Sequence, residues 1–145
     1  MRFDVENQLS VAQAFTGSAT VSANAYEKQT AAQDISIGRR MAVLLMPTVA
    51  AGAGSTHVFD VVQADNAALT TNKEILGTIT VLAADLILGS EFELPIPQGV
   101  MDRKYIGYQN TATGGTTTVT MDAYLVPQDE IAKYKSFPKA VNSEA

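Results

Sequence analysis

The sequence contains no cysteine, no tryptophan and one histidine in 145 residues. The missing cysteine removes disulfides, thiolate metal sites and cysteine nucleophiles together, and leaves the redox compartment open. Charge is also scarce: Asp, Glu, Lys and Arg make up 17% of the chain, against about 25% in an average soluble domain. What charge there is leans acidic, with 10 basic and 15 acidic residues giving a net −5. A field of that sign repels nucleic acid and anionic lipid, so neither is an expected partner. No long hydrophobic run is present. The most apolar stretch, Met41-Ala42-Val43-Leu44-Leu45-Met46, meets Pro47 well short of the roughly 20 residues that span a bilayer. Met1 to Asn7 carries Asp4 and Glu6 where a signal peptide would carry its apolar core. The expectation is a soluble protein made in a cytoplasm.

What is present is an apolar fraction of 46% beside few charges, which implies a surface not wholly meant for water. The length corresponds to one domain. A chain of this size buries about two-thirds of the surface it exposes when unfolded, so its core needs no covalent staple.

Period two dominates. Val119, Met121, Ala123 and Leu125 alternate with Thr118, Thr120, Asp122 and Tyr124, the pattern of a strand with one buried face. Lys104 to Gln109 reads as another strand, and Gly114-Gly115 between the two suggests a hairpin. Met41–Met46 reads as a strand buried on both sides and ended by Pro47. His57–Gln63, Ile75–Val81, Glu91–Leu94 (broken by Pro95 and Pro97), Leu9–Ala14 and Thr20–Ala25 complete about eight strands. Turn-formers such as Gly52-Ala53-Gly54-Ser55, Asp65-Asn66 and Gly89-Ser90 separate them. Short strands at this spacing predict an all-β protein, an antiparallel jelly-roll β-sandwich. Two places invite a helix. Ala64–Leu69 has room for about a turn, and Gln128–Lys135 follows Pro127 with acids early and lysines late, which matches the helix dipole.

No constellation specifies catalysis. Ser55, His57 and Asp60 lie close in sequence, but His57 and Asp60 are an odd number of residues apart on an extended segment and face opposite sides of a sheet. His57 is expected at a strand start near solvent. Gly52-x-Gly54 precedes a strand rather than a helix and lacks a following Lys-Ser/Thr, so it builds no phosphate loop. Glu91 and Glu93 share a strand face without a basic neighbour and read as solvated. Asp65-Asn66 lacks the acidic spacing of a calcium loop. Tyr124 is one aromatic contact for a glycan at most and reads better as rim packing. A single histidine excludes the histidine-rich metal site of a small cupin-like enzyme. No cofactor and no metal are expected.

The order of certain segments carries a resemblance. They are Gln8 to Ala19, Asp34-Ile35-Ser36-Ile37-Gly38, Leu94-Pro95-Ile96-Pro97-Gln98-Gly99-Val100, Lys104-Tyr105-Ile106-Gly107-Tyr108 and Val119 to Val126. In this order the chain resembles the jelly-roll capsid cement (decoration) proteins of tailed bacteriophages, of the Bordetella-phage type. The likeness spans roughly Gln8 to Gln128, and from Thr48 to Gly89 it holds in strand order alone. Arg39-Arg40-Met41 stands where the family places Gly and Pro, and Asp129 to Ala145 extends past the family's usual end.

The resemblance implies a non-enzymatic protein on the outer surface of the virion, binding the major capsid protein and copies of itself as a dimer or trimer. It supplies no catalytic or metal residues. The expected organisation is an N-terminal arm and first strand over 1–16, a jelly-roll domain over 17–127, and a C-terminal helix and tail over 128–145. Phe3, Val5, Tyr134, Phe137 and Val141 are the expected contacts with neighbouring chains. A jelly-roll glycan-binding module or surface adhesin is the alternative.

Overall fold

The computed structural model describes residues 8–15, 19–30, 35, 40–52, 56–99, 101–113 and 118–129. They form nine strands: β1 (Gln8–Phe15), β2 (Thr20–Val21), β3 (Tyr26–Glu27), β4 (Met41–Val49), β5 (Thr56–Ala64), β6 (Glu74–Leu82), β7 (Phe92–Pro95), β8 (Tyr105–Thr113) and β9 (Val119–Pro127). One sheet has the order β1-β9-β4-β7, and the other β2-β8-β5-β6 with β3 also on β8; every pairing is antiparallel. The chain is an all-β sandwich.

The alternation that marks β9 in the sequence is also what closes the core. Val119, Met121, Ala123 and Leu125 turn inward from the first sheet to meet Phe59, Val61, Ile106 and Tyr108 from the second, all essentially without exposure. β4 is buried on both sides, as its unbroken apolar run predicts. Val43 and Leu45 enter the core, while Ala42 and Leu44 form a second apolar layer with Val126, Met46 and Tyr124. A polar link also crosses between the sheets. Ser10 donates to the Met121 carbonyl (3.2 Å), so the Tyr108 hydroxyl 2.6 Å away is the donor to Ser10 Oγ. Ser10 sits where β1 shifts register against β9. Ala12 there takes φ +45°, and its amide is held by Asp122 Oδ1 at 2.7 Å.

Several local expectations are corrected. β8 and β9 form no hairpin, because β8 pairs with β5, β2 and β3 while β9 pairs with β1 and β4. Each already has neighbours on both edges. The link 114–118 can extend about 16 Å, more than the ~10 Å between packed sheets. Pro47 does not end β4: it pairs with Met121 past the segment that β7 covers, and the register shifts immediately after it. A proline fits a strand where the ladder is already interrupted. Pro95, opposite Ala42, is the last residue of β7, so that strand does end at its proline. Thr20–Ala25 gives only the two-residue β2, and the chain then returns to β8 as β3.

Ala64–Leu69 is not helical. Asn66 Oδ1 accepts from the amides of Thr70 and Thr71, both at 2.9 Å, and Leu69 takes φ +57°. The side chain thus closes a turn in place of a helical ladder. A 3-10 turn at Ala83–Asp85 was not expected from sequence. Gln128 and Asp129 are helical, and the rest of the expected C-terminal helix lies outside the described residues.

The β5–β6 connection folds back over the outer face of the second sheet, where Leu69 packs with Val62 and Ala64 and against Tyr105. Gly107 makes this possible. A Cβ there would lie 2.7 Å from Ser22 Oγ and nearer still to Leu69 Cδ1.

Candidate functional site

The titratable groups singled out in the sequence do not converge. Asp60 points to the outer face of its sheet, accepting from Thr78 Oγ1 (2.6 Å) and Gln109 Nε2 (2.9 Å), while Lys73 donates to Gln109 Oε1 at 2.8 Å. His57 is on the inner face, 6.2 Å from the Phe59 ring, with Nδ1 3.0 Å from the Asn110 amide nitrogen. The parity argument against a His57–Asp60 pair therefore holds. The expectation of a histidine near solvent does not: His57 is fully buried. Its partner Asn110 comes from a strand 53 residues away in sequence. Ser55 lies outside the described residues.

Glu91 and Glu93 are also not a solvated pair. Glu93 accepts a hydrogen bond from Gln128, and Glu91 Oε2 is buried without a partner, as is His57 Nε2. Tyr124 is rim packing: its hydroxyl accepts from Gln8 Nε2 at 3.0 Å, and its ring lies against the second apolar layer. Among the described residues no three or more metal-ligating side chains gather, and no helix is long and apolar enough to cross a membrane. Phe3, Val5, Tyr134, Phe137 and Val141 lie outside the described residues.

A cavity of about 390 Å³ opens on the seam between the edge strands β6 and β7. Ile79, Ile96 and Pro97 line it with Gln98, Gln128 and Arg40, the one charged group on its wall. No nucleophile and base meet there.

A different feature emerges from the register. The strand ends that bound the β1–β2, β4–β5, β6–β7 and β8–β9 connections all lie at one end of the sandwich. Phe15 pairs with Val119, Val49 with Thr120, and Thr56 with both Leu82 and Thr113. Backbone bonds stitch these connections together, from Ala51 N to Leu86 O (2.9 Å) and Gly52 N to Thr118 O (3.1 Å). Residues 13–26, 41–59, 75–91 and 105–121 contain two charged residues, Asp85 and Glu91, the latter with its Oε2 buried. Four large aliphatic side chains are exposed there: Val49 (57%), Leu82 (57%), Ile87 (55%) and Leu88 (67%).

The opposite end has the reverse character. Arg103 pairs with Glu74 (3.0 Å) and Asp102 (2.6 Å), and Lys104 pairs with Glu27 (3.0 Å). Glu27 holds the Lys104 ammonium above its ordinary pKa, through a hydrogen bond first and charge second. The sandwich is thus polarised between a charged end and a nearly uncharged apolar end. The charge-poor stretches were visible in the sequence; their convergence required the topology.

The fold is a two-sheet antiparallel β-sandwich with an exposed aliphatic cluster at one end. The family comparison is specific. The model of the Bbp16 family matches residues 9–125, and the chain belongs to that family. Its name is of the kind given to Bordetella phage proteins. Comparison with curated proteins returned no match.

Proposed function

We propose that this chain is a capsid cement protein of a tailed bacteriophage, binding the outside of an icosahedral shell and holding neighbouring major capsid subunits together without performing chemistry. The observation that carries the reading is the Bbp16 match across residues 9–125, which spans nearly the whole sandwich. The strand order supports a jelly roll in particular. Apart from the β5–β6 hairpin and the short β2–β3 return, every connection passes from one sheet to the other. Repeated passage between two sheets is what a jelly roll requires of its connections.

The physics suits a clamp. A shell filled with DNA fails where subunits separate, and a protein that binds only the assembled lattice stabilises it by mass action. Weak contacts suffice when several act together at high effective concentration. Self-association as a dimer or trimer provides that multiplicity. The glycan-binding alternative gains no support from Tyr124, whose hydroxyl and ring are both engaged within the chain. The test is to mix the purified protein with undecorated capsids and image them. Added density at fixed lattice positions is expected, and its absence at saturating protein refutes the reading.

A further inference from the structure

We infer that the apolar end of the sandwich, centred on Leu82, Ile87 and Leu88, is the surface that seats on the shell. This rests on the cement reading above and assigns it a face. The partner is a protein surface that is itself apolar and uncharged at the contact and is presented many times over, as on an assembled lattice.

Three observations lead there. Of the six exposed large aliphatic residues among the described residues, four lie at this end; the other two, Val11 and Ile75, stand alone on edge strands. An apolar cluster of this kind marks an interaction site. Next, the end is built and not frayed: Leu86 is fully buried beneath Ile87 and Leu88, and its backbone is tied to Ala51. The Thr56 and Thr113 hydroxyls are bonded across the neighbouring strands. A pre-ordered surface loses little freedom on docking. Finally, the charges in these connections are both acidic, Asp85 and Glu91, the latter with Oε2 buried, so an acidic partner would find no counter-charge here and would lose its hydration for nothing in return.

The size of the patch selects a lattice over a second copy. Four aliphatic side chains a little over half exposed offer on the order of 400 Å², about half of the roughly 800 Å² per partner of a stable binary interface. One such contact is too small to hold a dimer. The same contact repeated by a multivalent cement over a lattice is large enough.

The test uses the full chain. In Ile87→Glu/Leu88→Glu both changes fall on exposed side chains, so melting temperature and oligomeric mass are expected to match the parent. Affinity for undecorated capsids is expected to fall at least about thirtyfold, because two carboxylates enter a water-excluded contact. Leu88→Ser, which only removes apolar area, is expected to weaken binding in the same direction. Ile75→Glu is the matched control, an equally exposed aliphatic at the opposite end of β6, and should bind as the parent does. Parent binding should also change less than about twofold between 50 and 500 mM salt, since the contact is centred on aliphatic side chains and not on ion pairs.

Parent-like binding by the double variant overturns the assignment, as does loss of binding in Ile75→Glu or a steep salt dependence. A change in oligomeric mass in the double variant overturns it in favour of a self-contact. Failure of the parent itself to bind capsids refutes the cement reading and is thereby distinguishable from failure of this face.

Discussion

Substituting Gly107 by alanine tests the packing of the β5–β6 connection directly. Gly107 pairs with Val62 in the middle of the second sheet, and its backbone does not need a positive φ. The argument for glycine is therefore space alone. An added Cβ meets Ser22 Oγ at 2.7 Å and Leu69 Cδ1 closer still. Neither yields freely. Ser22 Oγ donates to Asn24 O (2.8 Å) and accepts from Tyr108 N (3.3 Å), and Leu69 is fully buried. Overpacking of this kind costs about 1–3 kcal/mol, while the stiffer unfolded chain of alanine returns about 0.4–1 kcal/mol. The net expectation is destabilisation by about 1–2 kcal/mol, or about 2–8 °C in melting temperature for a chain of this length. Urea unfolding of the parent, Gly107→Ala, Leu69→Ala and the double variant separates the causes. Leu69→Ala alone should cost about 2–4 kcal/mol, but it vacates the space the new methyl needs. The double variant should therefore be at least about 1 kcal/mol more stable than the sum of the singles implies. A neutral or stabilising Gly107→Ala, or strict additivity, refutes the steric account.

Burial pushes the Tyr108 phenol well above its ordinary pKa, a shift that its bond to Ser10 only partly opposes. A group with a raised folded pKa stabilises fully below its unfolded value near 10, so stability should fall above that pH by up to about 1.4 kcal/mol per unit. Tyr108→Phe should remove that alkaline slope at a cost of about 1 kcal/mol near neutrality; an unchanged slope in urea titrations at pH 9–11 contradicts this. Asp60→Ala leaves Thr78 and Gln109 without their acceptor and should cost about 2–3 kcal/mol, with Asp60→Asn retaining part of it. A loss under about 0.5 kcal/mol on thermal melting means the network carries little weight. A chain ending at Gln128 should bind capsids at least about tenfold more weakly in a sedimentation assay if Tyr134, Phe137 and Val141 contact neighbouring subunits; undiminished binding removes that role from the C-terminal segment.

Most of the strands were legible because alternation is a local property. Val119 to Leu125 declares its buried face without reference to any partner, and the two-sided burial of Met41–Met46 follows from its unbroken apolar run. What failed depended on distant chain. Gly114-Gly115 reads as a hairpin when only its flanks are considered, but β8 and β9 were already paired with β5 and β4 in opposite sheets. Pro47 reads as a terminator, yet β4 continues to Val49, because whether a proline disrupts a strand depends on which side has a neighbour. His57 reads as solvent-facing because Asn110, which meets its Nδ1 within the core, is 53 residues away. The candidate surface divides in the same way. Each charge-poor stretch can be read directly, whereas their meeting at one end follows from the sheet-crossing connections.

The polarity of the sandwich also sets where new polypeptide can be attached. β1 begins and β9 ends at the charged pole, since Gln8 pairs with Tyr124 and Pro127 with Met41. A peptide or small domain grafted ahead of β1 or beyond β9 therefore departs from the pole remote from Leu82 and Leu88. If the inferred face seats those leucines on a particle, a graft at either strand end starts from the pole turned away from it.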